Sequence, residues 1–93
     1  MKKKIVSLQD LTKIISKEKS KGKKVILCHG VFDLLHLGHI KHFDEAKNLG
    51  DILVVSLTPD KYVNKGPSRP AFTEKLRVEA ISSLEAINYV VLN

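Results

Sequence analysis

At 93 residues with 43% hydrophobic side chains, the chain has room for one small packed domain and is too apolar for a disordered tail. No apolar run nears the roughly 20 residues of a membrane span, and no apolar stretch follows Lys2, Lys3 and Lys4 to make a signal peptide. The lone Cys28 excludes an internal disulfide, so a reducing, cytoplasmic setting is expected.

The formal charge of +6 is unevenly placed. Residues 1–24 carry nine lysines against Asp10 and Glu18, a local +7, while residues 25–93 sum to −1. A nucleic-acid-binding face usually spreads Lys and Arg over the fold and interleaves aromatics. The basic segment has no aromatic. It reads as a solvated, lysine-rich amphipathic helix ahead of a domain at 25–93, with neither nucleic acid nor membrane as partner.

In chain order, Ser7 with Asp10 three residues on marks a helix start, and Leu8, Leu11, Ile14 and Ile15 form its apolar stripe. Gly22 ends it. Val25-Ile26-Leu27-Cys28 is a continuous apolar run, read as a strand buried on both faces. A second helix is predicted from Gly38 to about Asn48, with Ile40, Phe43, Ala46 and Leu49 inward and Gly50 as its stop. Residues 52–57 make a second buried strand. The long connection from Thr58 to Phe72 holds all three prolines. Thr73 then caps a third helix, with Glu74 in its first turn and Leu76, Ala80, Ile81 and Leu84 as its inner face. Residues 89–92 form a third strand.

This alternation predicts an α/β fold: a three-layer, Rossmann-like parallel sheet of about three strands with flanking helices. Ligands of such sheets sit beyond the carboxyl ends of the strands. There the first strand runs into Gly30-Val31-Phe32-Asp33-Leu34-Leu35-His36-Leu37-Gly38-His39. A helix start just past a strand end offers backbone N–H groups to an anion, and Gly38 lets the anion come close. His36 and His39 can each donate a hydrogen bond to a phosphate oxygen. The set suits phosphate binding and stabilisation of charge on a leaving pyrophosphate.

GVFDLLHLGHIKHFDEAKNLGD resembles the first signature of the cytidylyltransferase-like family of nucleotidyltransferases, and the resemblance continues through ILVVSLTPD and KGPSRPAFTEKLRVEAISSLEAINYVV. The KGPSRP form is most similar to the transferase part of ADP-heptose synthases, and glycerol-3-phosphate cytidylyltransferases share the first signature. The resemblance implies a reaction in which an acceptor phosphate attacks the α-phosphate of CTP or ATP and pyrophosphate leaves. It implies that His36, His39 and Lys65 are catalytic. Gly30, Val31, Phe32, Asp33, Gly38 and Arg77 would join the two histidines around the nucleotide. Asp60, Lys65 and Arg69 would meet a phosphorylated small-molecule acceptor. Mg2+ is expected to accompany the triphosphate.

The family's second signature, Arg-x-x-x-Ile-Ser-[ST]-[ST], does not occur before Asn93, and three of its five strands are counted. The chain is therefore expected to be the front part of such a domain, completed by further sequence or by a second copy. An unpaired strand edge near the end is expected to favour association. Other readings compete. Asp33 can simply cap a turn, and Cys28 can be an inert core residue. A metal site at His36, His39 and His42 with His29 and Cys28 is disfavoured, because i, i+3, i+6 positions rotate off one helical face. A nucleotide-binding or oligomerising module without activity is the alternative function, and a tRNA-handling role is a third.

Overall fold

The computed structural model describes residues 4–33, 35–63 and 72–93. In chain order it contains α1 (Leu8–Ser20), β1 (Val25–Gly30), α2 (Leu37–Lys47), β2 (Ile52–Leu57), a 3-10 turn (Asp60–Tyr62), α3 (Glu74–Ser82) and β3 (Tyr89–Leu92). The strands form one parallel sheet in the order β1-β2-β3. Val25 to Gly30 pair with Ile52 to Leu57, and Tyr89 to Leu92 pair with Val54 to Leu57. This is the expected open, parallel α/β sheet.

Strand alternation divides the core into two layers. Leu53, Val55, Leu57 and Val90 pack with Phe43 and Ala46 of α2 and with Val78 and Ile81 of α3. Ile52, Val54 and Val91 face the other way and pack with Leu11 of α1. Every residue of β2 is buried, as a central strand requires. Ser7 caps α1, its Oγ accepting the Asp10 N–H at 3.1 Å, and the stripe through Leu11 and Ile15 meets the sheet. Leu8, expected in that stripe, is 52% exposed.

The apolar run of β1 does not make a doubly buried strand. Its residues alternate between half-buried and exposed, and Leu27 is 64% exposed. A continuous apolar run signals two potential contact faces, but β1 is an edge among the described residues. Leu49 is also exposed, because the helix has already ended at Lys47 and the chain is turning. On α3, Leu76 is 51% exposed and Ala80 is exposed, while Arg77 and Val78 take the inward positions. The opposite edge of the sheet is partly closed. Ile5 bridges to Val90, with Val6 N–H donating to Val90 O at 3.0 Å and Val90 N–H to Lys4 O at 2.9 Å. The strand edge near the end of the chain is thus covered by the chain's own residues 4–6.

Candidate functional site

The site is built where β1 turns into α2. Gly30 closes the strand, and Phe32 follows in the left-handed region at φ 50, a conformation that costs an aromatic residue about 1–3 kcal/mol. The bend sends the Phe32 ring back over the strand. A Cβ on Gly30 would lie 2.9 Å from Phe32 Cζ, so only glycine lets the ring settle there. The ring then meets Phe43 of the core at 5.1 Å and His39 at 5.5 Å, edge-on in both cases. Phe32 therefore joins the packed core to the imidazole pair.

The two histidines form a reciprocal cap on α2. His36 Nδ1 accepts the Gly38 N–H at 3.0 Å, and His39 Nδ1 accepts the His36 N–H at 3.3 Å. Their rings stack at 4.0 Å. A capping box normally uses Ser or Thr with Glu or Gln, and here imidazoles fill both roles. The expected picture of free amides at the helix tip needs correction. The Gly38 N–H is taken by His36, and the His39 N–H is bonded to His36 O at 3.0 Å. An imidazole that accepts at Nδ1 is neutral and carries its proton on Nε2. The pair thus exchanges amide donors for two Nε2–H donors. Partial burial, then the nearby His36 and His42, hold His39 below the ordinary imidazole range and favour that neutral form. Gly38 has a second reason to be glycine: a Cβ there would lie 2.8 Å from His36 Cε1, where the capping ring sits.

Behind the bend at Val31, Arg77 is only 1% exposed and lies among protein acceptors. Its Nε donates to Phe72 O at 3.2 Å, Nη1 to Val31 O and Thr58 O at 2.9 Å each, and Nη2 to Asp60 Oδ1 at 2.6 Å. The guanidinium holds the Asp60 carboxyl below the usual carboxylate range. Asp60 N–H in turn donates to Glu74 Oε1 at 3.0 Å, and Phe72 N–H to Asp33 Oδ1 at 2.9 Å. Arg77, expected on the nucleotide, knits together the segments leaving β1 and β2 and leading into α3. Asp60, expected near the acceptor, is engaged by it. Sequence reading missed Thr58, Phe72 and Glu74 as members of this network, since two contribute backbone carbonyls that no side-chain pattern reveals.

Gly30, Val31, Phe32, Asp33, His36, Gly38 and His39 are brought together at the carboxyl end of β1, as expected. Lys65 and Arg69 lie outside the described residues. A cavity of about 260 Å3 opens on this region, lined by Phe32, Asp33, Leu35, Phe72, Leu76, Arg77 and Ala80, which is where the exposed face of α3 leads. A larger open depression, about 630 Å3, lies between α2 and residues 84–86 and contains none of the expected site residues. His29 sits on the opposite sheet face, its Nδ1 2.9 Å from Ser56 Oγ. Burial pushes the Cys28 thiol up, as suits a residue packed against the core.

An open parallel sheet whose first strand leads into a helix tip beyond its carboxyl end is the Rossmann-like class, with its ligand crevice at that tip. The chain belongs to the cytidylyltransferase-like family, whose model matches residues 27–93. It is similar to the bifunctional protein HldE of Citrifermentans bemidjiense, 47% identical over 91 residues that cover 96% of this chain and 19% of that protein. The bifunctional protein HldE of Geobacter metallireducens is 44% identical over the same coverage. A solved lipopolysaccharide core biosynthesis protein from Thermoplasma volcanium GSS1 aligns with a TM-score of 0.71 at 39% identity, covering 77% of this chain and 59% of that one. The chain therefore spans about a fifth of the length of its HldE relatives. Among the described residues no helix is long and apolar enough to cross a membrane.

Proposed function

We propose that this chain forms the nucleotide-binding front part of an enzyme that transfers CMP or AMP from a nucleoside triphosphate to a phosphorylated sugar or alcohol. The double histidine cap carries the reading. It presents two neutral imidazoles, each with Nδ1 occupied by a backbone N–H, at the tip of a helix beyond the end of β1. In this reading the triphosphate lies at that tip, and Nε2 of His36 and of His39 donate to its oxygens. A phosphate oxygen of the acceptor forms a bond to the α-phosphorus as the bond to the β-phosphate oxygen breaks. The electron pair leaves with pyrophosphate, and the imidazoles stabilise the charge that grows there. Donors already fixed by the backbone need little reorganisation, so alignment supplies much of the rate gain.

Mg2+ would come with the triphosphate. The nearby carboxylates are already engaged, Asp33 with Phe72 N–H and Asp60 with Arg77. This fits a cation held by phosphate oxygens and water rather than by a protein cage. Its chemistry is charge neutralisation on the phosphates, and no step of this reading runs through it. Lys65 and Arg69 are assigned to phosphate groups of the two substrates on the strength of the motif alone. A sugar phosphate is the favoured acceptor, because the KGPSRP stretch resembles ADP-heptose synthases and a structural relative is described as a lipopolysaccharide core biosynthesis protein. The half-buried Cys28 fits a cytoplasmic setting.

The test is pyrophosphate release from CTP or ATP against a panel of sugar and alcohol phosphates. Release that needs both substrates and disappears in His36→Ala supports the reading. Triphosphate binding without release for any acceptor points to the binding-module alternative.

A further inference from the structure

The Arg77 guanidinium is the largest fully buried side chain of the described residues, and none of the proposed chemistry uses it. Burying such a cation costs several kcal/mol unless its donors are met. Here four hydrogen bonds engage four of its five N–H donors, and three go to backbone carbonyls on separate segments. One of these carbonyls matters most. The oxygen of Val31 belongs to the peptide plane whose nitrogen is that of Phe32. Fixing that plane fixes the reference from which the Phe32 φ of 50 is measured. Left-handed backbone at an aromatic residue persists only where the surroundings over-determine it. A second bond acts on the same bend, Thr58 N–H to Gly30 O at 3.0 Å. The Phe32 ring, placed by this bend, is the edge against which His39 rests.

We propose that Arg77 is a positioning residue: by holding the Val31 carbonyl it keeps Phe32 left-handed and so seats His39 for its cap and its phosphate donor. The inference rests on the nucleotidyltransferase reading for its functional meaning, but its structural content stands without a ligand. Lysine cannot substitute, because a single ammonium cannot span carbonyls on three segments as a planar fork does.

The experiment records the imidazole ring nitrogen signals of His36 and His39 by NMR in the full chain, wild type against Arg77→Lys, first without ligand and then with CTP or ATP. Core methyl signals of Leu53, Val55 and Val90 report folding. The expected result is a folded core in Arg77→Lys, with the His39 ring losing its fixed Nδ1-acceptor signature and triphosphate affinity falling about tenfold or more. A folded Arg77→Lys chain with wild-type His39 signals overturns the proposal. Should Arg77→Lys fail to fold, Asp60→Asn takes its place, since it weakens the charge pair and leaves the three carbonyl bonds. A smaller shift of His39 in the same direction is then expected, and an unmoved His39 overturns the idea. Failure of the functional reading looks different: wild-type imidazole signals would ignore CTP and ATP, while the Arg77 effect on His39 would persist.

Discussion

The Phe32 ring meets the His39 imidazole edge-on at 5.5 Å, and it reaches that position only because Gly30 leaves the strand backbone bare. A packed aromatic thus connects the hydrophobic core to the pair of groups assigned to phosphate. The contact makes Gly30→Ala a sharp test. The new Cβ would fall 2.9 Å from Phe32 Cζ, and overpacking of this kind costs about 1–3 kcal/mol. Urea unfolding is expected to show that loss, together with displaced His39 ring signals. Unchanged stability would show that the ring has another place to go.

Gly38→Ala sets two effects against each other. Alanine in a helix gains up to about 1 kcal/mol over glycine. Its Cβ, however, would lie 2.8 Å from His36 Cε1 and drive the capping ring off, and a lost N-cap costs about 1 kcal/mol. The terms nearly cancel, so thermal stability should change little. Triphosphate affinity should fall, because the displaced imidazole no longer presents its Nε2–H. Calorimetry that finds full affinity at unchanged stability would contradict the cap as described.

His39 sits below the ordinary imidazole value of 6.5 in the folded chain. The unfolded chain therefore binds the proton more readily between the depressed folded value and 6.5. The stabilising contribution is complete above that window and is lost as pH falls through it. His39→Gln keeps an acceptor for the His36 N–H and removes the titration. The difference in unfolding free energy between the two proteins should shrink on acidification from pH 7.5 to 5. A constant difference over that range would show that His39 titrates normally.

Residues 4–6 act as a short added strand on β3. Val6→Pro deletes the donor to Val90 O and leaves a buried carbonyl unpaired, at a cost of about 1–3 kcal/mol. The exposed β3 edge should also raise self-association, measurable by light scattering. A variant as stable and as monodisperse as the parent would show that this pairing contributes nothing.

The strands at 52–57 and 89–92 were legible because continuous apolar runs of strand length have few other uses. The same signal misjudged Val25 to Cys28, since a run of apolar residues records which faces can be covered but not whether a neighbour is present. The helices were read to within a residue or two from Ser7, Gly50 and Thr73. The inner face of α3 was read in part: Ile81 and Leu84 pack inward, Leu76 and Ala80 do not, and the miss has a physical reason. Periodicity counts Arg77 as solvent-facing, yet acceptors from three segments make its burial favourable. Residues 4–6 lay outside any pattern, because three residues are too few to show alternation. At the site, the motif located His36 and His39. That they cap each other through Nδ1 depends on ring orientation, which spacing does not specify.

All of the proposed chemistry depends on these two imidazoles holding the triphosphate. The most direct test is isothermal titration of magnesium-CTP and magnesium-ATP into the wild type and into the His36→Ala, His39→Ala double variant, with circular dichroism confirming the fold. Each hydrogen bond to a charged group contributes about 1.5–3 kcal/mol, so an affinity loss of at least about tenfold is expected for the nucleotide that binds. Equal affinity in a folded double variant would contradict it.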